Sequence, residues 1–373
     1  MGITVAPGPR DDDSGLTSLR VNYSSGQFAT PNRFVTNADL NAKSGIGADF
    51  PLTRERNLFL SERSFSDADL KKILGVNDFL SSVKLEFENF LTRTDATRSM
   101  RAVYPKFTEK ALKDLGASSE GTKSKVWAFI FNLMDELKAD VFLFQYESMG
   151  ENEKKYLDVQ NQPYVPVLDI HNLQFLEDNL INLAQKPSAS VPFIGITYAT
   201  YPRAYLSYVH LMDNLDKIHE KNKGLLGVGA PRELGRYEED QDVSAPHYSS
   251  FLISDIAAER SYPGGGGGKT AARLFEKGDL AVPVPEKGHP VAEHLDEVSL
   301  FNGDRLLQEY FLKFAAGDVN LYNARSHYFS RVHESLLTNN EYKEMRNSVI
   351  NQELKEYRES KFRINAILTK HGV

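Results

Sequence analysis

Cysteine is absent from all 373 residues. Disulfides, thiolate zinc sites and cysteine nucleophiles are thereby excluded together. No run of about 18 apolar residues occurs, so no segment reads as a membrane span. The opening MGITVAPGPRDDDSG has neither the basic region nor the apolar region of a secretory signal, and Ala6 stands where a myristoylation pattern needs Ser or Thr. Residues 1–15 therefore read as a flexible tail, and the chain as cytoplasmic with no membrane partner. The nine histidines form no H-E-x-x-H or H-x-H cluster, and the close pair His289 and His294 falls in a loop-like stretch. Neither a metal nor any other cofactor is expected. The net charge of −7 argues against a uniformly basic nucleic-acid coat, though not against a local basic groove.

A hydrophobic share of 41% and a charged share of 25% are those of a globular protein, and the length suits one large barrel or two ordinary domains. Residues 16–65 look β-rich, through LTSLRVNY, TPNRFVTNADL and NLFLSERSF. Residues 66–139 look mostly helical. Ser66 is placed to cap SDADLKKIL, a second helix runs through LSSVKLEFENFLTR, and KSKVWAFIFNLMDELKA repeats apolar residues at helical spacing.

From Asp140 short apolar runs alternate with helical patterns. Strands are expected near 140–145, 165–169, 191–197, 225–229 and 250–255, the last being FLISD. Each run stops at a turn containing Gly, Asp or Pro, and the spacing fits helices crossing over between parallel strands. This rhythm predicts a (β/α)8 TIM-like barrel, with a β-rich N-terminal segment and C-terminal helices over 301–373. Residues 16–373 then form a single domain.

In a barrel, acids at strand exits point into the mouth, where nucleophiles and acid/base groups belong. Asp255, closing FLIS, is one such acid; a helix cap for the residues that follow is the structural alternative. Asp169 holds the equivalent place on YVPVLDI, with the same alternative. Two such acids can divide roles if their environments separate their pKa values. Gln145 and Glu147 leave the preceding strand with the donors and acceptors that read a purine edge, although a solvated loop is the commoner setting for Glu147. PGGGGGKTAAR misses the phosphate-loop pattern, because Pro263 stands where Gly is required. It reads instead as a glycine lid over the mouth, with Lys269 and Arg273 reaching phosphates on closure. RTDATRSMRAVYPKF interleaves basic residues with Tyr104 and Phe107, a backbone-contacting patch or a solvated loop.

The order of these segments resembles the queuine and archaeosine tRNA-guanine transglycosylases and their DNA-modifying relatives. ADVFLFQYES resembles the family's Ala-Asp strand end, FIGITYA its glycine-bearing strand, GVGAP its GVGTP-type segment and FLISD its nucleophile strand. LQEYFLKFAAGDVNLYNARSHYFSRVHESL resembles a C-terminal helical segment of the family, and the likeness spans about residues 139–345. The resemblance implies a pentosyltransferase that exchanges guanine for a 7-deazaguanine base in DNA or tRNA. Asp255 would be the covalent nucleophile, Asp169 or Glu62 the second acid, and the backbones of Gly195 and Gly229 would approach the base. The family's zinc ligands are missing, with AVPVPEKGHPVAEHL in their place, and its Asp-Ser-Gly-Gly motif has no match beyond FLSERSF. The interval from GVGAP to Asp255 is also longer than in the family. The lost zinc site and the lack of an appended RNA-binding domain lean towards the DNA-modifying branch. A homodimer is the assembly considered. The alternatives are a barrel N-glycosidase or nucleosidase, a catalytically silent nucleic-acid-binding paralogue and, more distantly, a viral structural protein.

Overall fold

The chain begins with three antiparallel strands, β1 (Thr4–Arg10), β2 (Thr17–Tyr23) and β3 (Gly26–Ala29), in a computed structural model that describes residues 2–45, 57–76, 78–94, 99–160, 162–231, 234, 243–260, 275–281 and 319–372. The segment read as a tail thus carries a strand. Ile3 and Val5 alternate with exposed residues and bury one face, which fixes the register of β1 on β2.

Eight parallel strands follow and close on themselves: β4 (Asn32–Thr36), β5 (Asn57–Phe65), β6 (Ser99–Phe107), β7 (Val141–Gln145), β8 (Tyr164–Leu168), β9 (Phe193–Thr197), β10 (Gly224–Ala230) and β11 (Ile256–Glu259), with β11 pairing back to β4. Between them run α1 (Asn37–Gly45), α2 (Asp67–Gly75), α3 (Phe79–Leu91), α4 (Glu109–Gly116), α5 (Glu120–Glu136), α6 (Glu151–Val159), α7 (Leu173–Gln185), α8 (Tyr205–Glu220) and α9 (Ala245–Leu252). Helices α10 (Val319–Asn351), α11 (Leu354–Glu359) and α12 (Phe362–Lys370) follow the barrel. The architecture is a TIM-like barrel with C-terminal helices, as the alternation predicted. Among the described residues no helix is long and apolar enough to cross a membrane.

Four of the five expected barrel strands match β7 to β10 and lie parallel. The fifth does not. Residues up to Leu252 belong to α9, and the strand begins only at Ile256. All eight residues of α9 are buried, His247, Ser249 and Ser250 among them, so no exposed stripe marks the helix, and its Phe251–Leu252 end joins Ile253 in an apolar run that mimics a strand. Pro246 in its first turn was the contrary signal. The helical expectation over 66–139 also missed β6, which lies within the stretch read as a basic patch. Arg101, Pro105 and Lys106 break its apolar pattern, yet Met100, Ala102 and Tyr104 alternate inwards. The cap on α2 is as expected: the Ser66 hydroxyl accepts from the Asp69 amide at 3.2 Å and the Asp69 carboxylate accepts from the Ser66 amide at 3.0 Å.

Two apolar layers result. Outward residues such as Phe59, Val103, Phe142 and Ile194 meet the helices, while Leu60, Ala102, Leu143, Val167, Val228 and Ala258 fill the barrel. The inner layer is continuous with Ile3, Val5, Leu19 and Val21, so the N-terminal sheet plugs the end where the strands begin. The carboxyl end is left for chemistry. On the outside, α10 is pinned to the barrel by a buried network in which Arg33 on β4 reaches Asp39 (3.1 Å), Glu259 (3.2 Å) and Ser335 (3.0 Å), and Arg331 reaches Asp39 (2.6 Å) and Glu259.

Candidate active site at the carboxyl end of the barrel

Period-two alternation dictates which side chains crown the interior. Leu58 and Leu60 point inwards, so Glu62 is the next inward residue on β5. Met100, Ala102 and Tyr104 lead in the same way to Lys106 on β6, Val165 and Val167 to Asp169, and Gly195 to Thr197. Glu62 and Tyr104 are register partners across the β5–β6 ladder.

Glu62 is 92% buried by its 8% exposure, and its Oε1 accepts from Lys106 Nζ. Its Oε2 is also buried and has no hydrogen-bond partner among the described residues. Burial pushes the carboxyl above the usual carboxylate range, and the charges of Lys106 and Arg260 only partly offset this. The phenol of Tyr104, fully buried, is pushed up by burial and then by the nearby carboxylates of Glu62 and Asp169. Both acids therefore act on one hydroxyl. Lys106 Nζ lies 5.9 Å from the Tyr104 ring centroid.

Asp169 is half-buried just past β8. Its Oδ1 accepts from the Thr197 hydroxyl and the His171 amide, both at 3.1 Å, which orients the carboxylate and directs Oδ2 elsewhere. Glu147 is exposed, and its Oε1 accepts from the Asp169 amide at 3.2 Å. The two acids thus stand in unlike settings on either side of one buried phenol, one dry and one braced by donors.

The remaining expected site residues fall differently. Gln145 sits at the end of β7, but its amide exchanges two bonds with the Phe107 backbone, at 2.6 and 3.2 Å, extending the β6–β7 ladder instead of presenting a reading edge. Gly195 lies one layer below Thr197, where a Cβ would come within 2.8 Å of the Val167 side chain; its reason is packing. Gly229 is at the mouth with φ +77° and open space around it, where the β10–β11 register shifts. That bulge holds the backbone of the GVGAP segment at the rim. Lys269, Arg273 and the glycine lid lie outside the described residues.

Asp255 needs correction. Because β11 starts one residue later, Asp255 stands at the entry of its strand, on the plugged end of the barrel. Its Oδ2 accepts from the Leu225 amide at 2.6 Å and from His219 Nε2 at 3.1 Å, and its own amide bonds Leu225 O at 2.9 Å. These contacts join α8 to the foot of β10 and β11. At the carboxyl end of β11 the inward Ala258 leads to Arg260, whose charge acts on Glu62, while Glu259 faces outwards into the α10 network. The covalent role assigned to Asp255 therefore loses its place.

Asp255→Ala is expected to cost about 1–3 kcal/mol in urea unfolding, since it orphans a buried amide and a buried imidazole. Asn, which still accepts from the amide, should cost less, and neither should alter chemistry at the mouth once the folded fraction is corrected for. Burial lowers the His219 pKa but Asp255 more than reverses this, so the folded value lies above the unfolded 6.5. The contribution is then full below about pH 6.5 and fades as pH rises through the folded value. In Asp255→Asn that slope should disappear. An unchanged slope would refute the pairing.

Among the described residues no group of three or more His, Asp or Glu side chains is placed to hold a metal ion. Sequence reasoning put Tyr104 and the basic residues around it, Lys106 among them, in a backbone-contacting patch or solvated loop instead of on a barrel strand, and it overlooked Thr197; the inward alternation of β6 and β9 was the signal for all three. No protein-family model matches the sequence, and no curated protein matches it.

Proposed function

We propose that the chain exchanges a guanine-type base for a 7-deazaguanine at an N-glycosidic bond of nucleic acid, with Glu62 and Asp169 in the roles that require acids. The observation that carries the reading is the dry Glu62 carboxyl at the mouth, one oxygen on Lys106 and the other without a partner among the described residues. A carboxyl whose hold on its proton is strengthened by burial is suited to protonating a departing base. Asp169, its Oδ1 occupied, presents Oδ2 to the sugar C1′ as nucleophile. The C1′–N bond breaks as the Asp169–C1′ bond forms, and the proton of Glu62 leaves with the base. The incoming base then attacks C1′, expels Asp169 and returns a proton to Glu62. This is the double displacement of retaining glycosidases with a base in place of water. A base stacked in a duplex has to be turned out to reach this depth. The segment order resembling the guanine transglycosylases supports the choice of substrate, and the barrel fold agrees with it.

A second reading, a silent nucleic-acid-binding paralogue, is favoured by β11 carrying Ala258 and then Arg260, and no acid, at its inward positions towards the mouth. Incubating the full chain with a labelled 7-deazaguanine and either duplex DNA or tRNA separates the cases. Label in the polymer supports exchange. Free guanine without label marks a hydrolase, and binding without either product marks the silent paralogue.

A further inference from the structure

Buried tyrosines elsewhere in this protein have their hydroxyls engaged. Tyr164 donates to Asp158 at 2.6 Å, Tyr208 to the Ala199 carbonyl at 2.7 Å and Tyr357 to Glu341 at 3.0 Å, as a phenol taken out of water ordinarily requires. Tyr104 is placed as deeply, at 3% exposure, yet its hydroxyl makes no hydrogen bond to any described residue. Nor is that oxygen sealed from solvent as Glu62 Oε2 is. It opens on the mouth.

The barrel fixes where this hydroxyl stands. Tyr104 and Glu62 are register partners on one inward face, on strands about 4.8 Å apart. Lys106, the next inward residue of β6, binds Glu62 and lies 5.9 Å from the Tyr104 ring centroid. Asp169 faces the same phenol from beyond β8, and Arg260 acts on Glu62 from beyond β11. Burial, and then the charges of Glu62 and Asp169, keep the hydroxyl protonated. A neutral donor therefore stands between the two acids and is bonded to neither.

We infer that Tyr104 is a catalytic residue whose hydroxyl donates a hydrogen bond to N3 of the purine base as the glycosidic bond breaks. The inference rests on the exchange reading above. With Asp169 at C1′ and Glu62 at the base, the acceptors that fall between them are those beside the C1′–N9 bond, the sugar ring oxygen and purine N3. The ring oxygen turns positive in an oxocarbenium-like transition state, and a donor there would oppose the reaction. N3 gains negative charge as the base departs, so a donor at N3 binds the transition state better than the ground state. Guanine and 7-deazaguanine share N3 but not N7, so one hydroxyl serves the departing and the incoming base alike. No proton changes hands in this contact. The phenol keeps its hydrogen, and Glu62 remains the acid.

A cycle that alters the protein and the base together tests the contact. Free 7-deazaguanine and 3,7-dideazaguanine, in which C–H replaces N3, are titrated calorimetrically into the full wild-type chain and into Tyr104→Phe. The same two bases are then compared as incoming bases in exchange. The wild type is expected to bind 7-deazaguanine about tenfold more tightly than the analogue, and Tyr104→Phe to bind both alike. In exchange the variant should lose about ten- to a hundredfold in kcat/KM with 7-deazaguanine and little with the analogue. Its melting temperature should stay at the wild-type value, because the hydroxyl has no partner to lose in the free chain. A preference for N3 that survives in Tyr104→Phe overturns the inference and leaves exchange standing. Coupling in binding without any exchange keeps the N3 contact and removes the function proposed above. If the wild type binds neither base, both fall.

Discussion

Replacing Glu62 by Gln is expected to lower base exchange by about two to four orders of magnitude while leaving nucleic-acid binding intact. The amide keeps the size of the side chain and can still accept from Lys106, but it has no proton to deliver to a leaving base. Stability gives the control. Burial raises the Glu62 pKa, so the folded state binds the proton more tightly than the unfolded state does. Ionising this carboxyl between its unfolded and folded values therefore costs stability, a penalty that Gln does not carry. The variant should melt at the wild-type temperature or slightly above it. In the wild type kcat/KM should fall on the alkaline side as Glu62 loses its proton, and that limb should vanish in the variant. Exchange persisting at the wild-type rate would remove Glu62 from the chemistry and, with it, the proposed mechanism.

The parts of this site that were legible in the sequence are those whose strands are buried on both faces. β7 to β10 stand out because continuous apolar runs end in turn residues, and that placed Asp169 at the mouth correctly. The same logic failed for Asp255. An apolar run reports burial and not period, and α9 is buried all round, so the strand boundary slipped past the acid and exit became entry. β6 was hidden for the opposite reason. Its inward positions turn polar where the site begins, at Tyr104 and Lys106, and a functional departure from the strand pattern looks like a loop. Glu62 was named for its place in the chain order, whereas its burial and its unpartnered oxygen are properties of the closed barrel. Nor could the sequence pair Asp39 with Arg331, 292 residues away.

That pair carries the largest stability effect expected of a single substitution. Asp39 is 0% exposed and accepts from the Thr36 amide (2.8 Å), the Thr36 hydroxyl (3.2 Å), Arg33 (3.1 Å) and Arg331 (2.6 Å). Burial alone would raise its pKa, but Arg331 and Arg33 hold the carboxyl below the usual range. Asp39→Ala leaves two buried guanidinium groups with Glu259 and, 3.8 Å from Arg331, Glu334, and a cost of about 3–5 kcal/mol is expected in urea unfolding. The exposed pair Arg10–Asp216 should contribute no more than about 1 kcal/mol, which makes it the internal comparison. Because the folded pKa of Asp39 is depressed, its contribution is complete above about pH 4 and is lost as pH falls through the folded value. Removing one cation as well, in Asp39→Ala with Arg331→Met, should recover part of the loss, since the penalty comes from stranded charge and not from the pair as such. Hydrogen exchange should localise the damage to α10 and the β4–β11 seam, with the Glu62–Lys106 end of β5 and β6 still protected. A cost below 1 kcal/mol for Asp39→Ala, or a double variant no better than the single, would mean that the helix is held by its apolar contacts and that the charges merely follow.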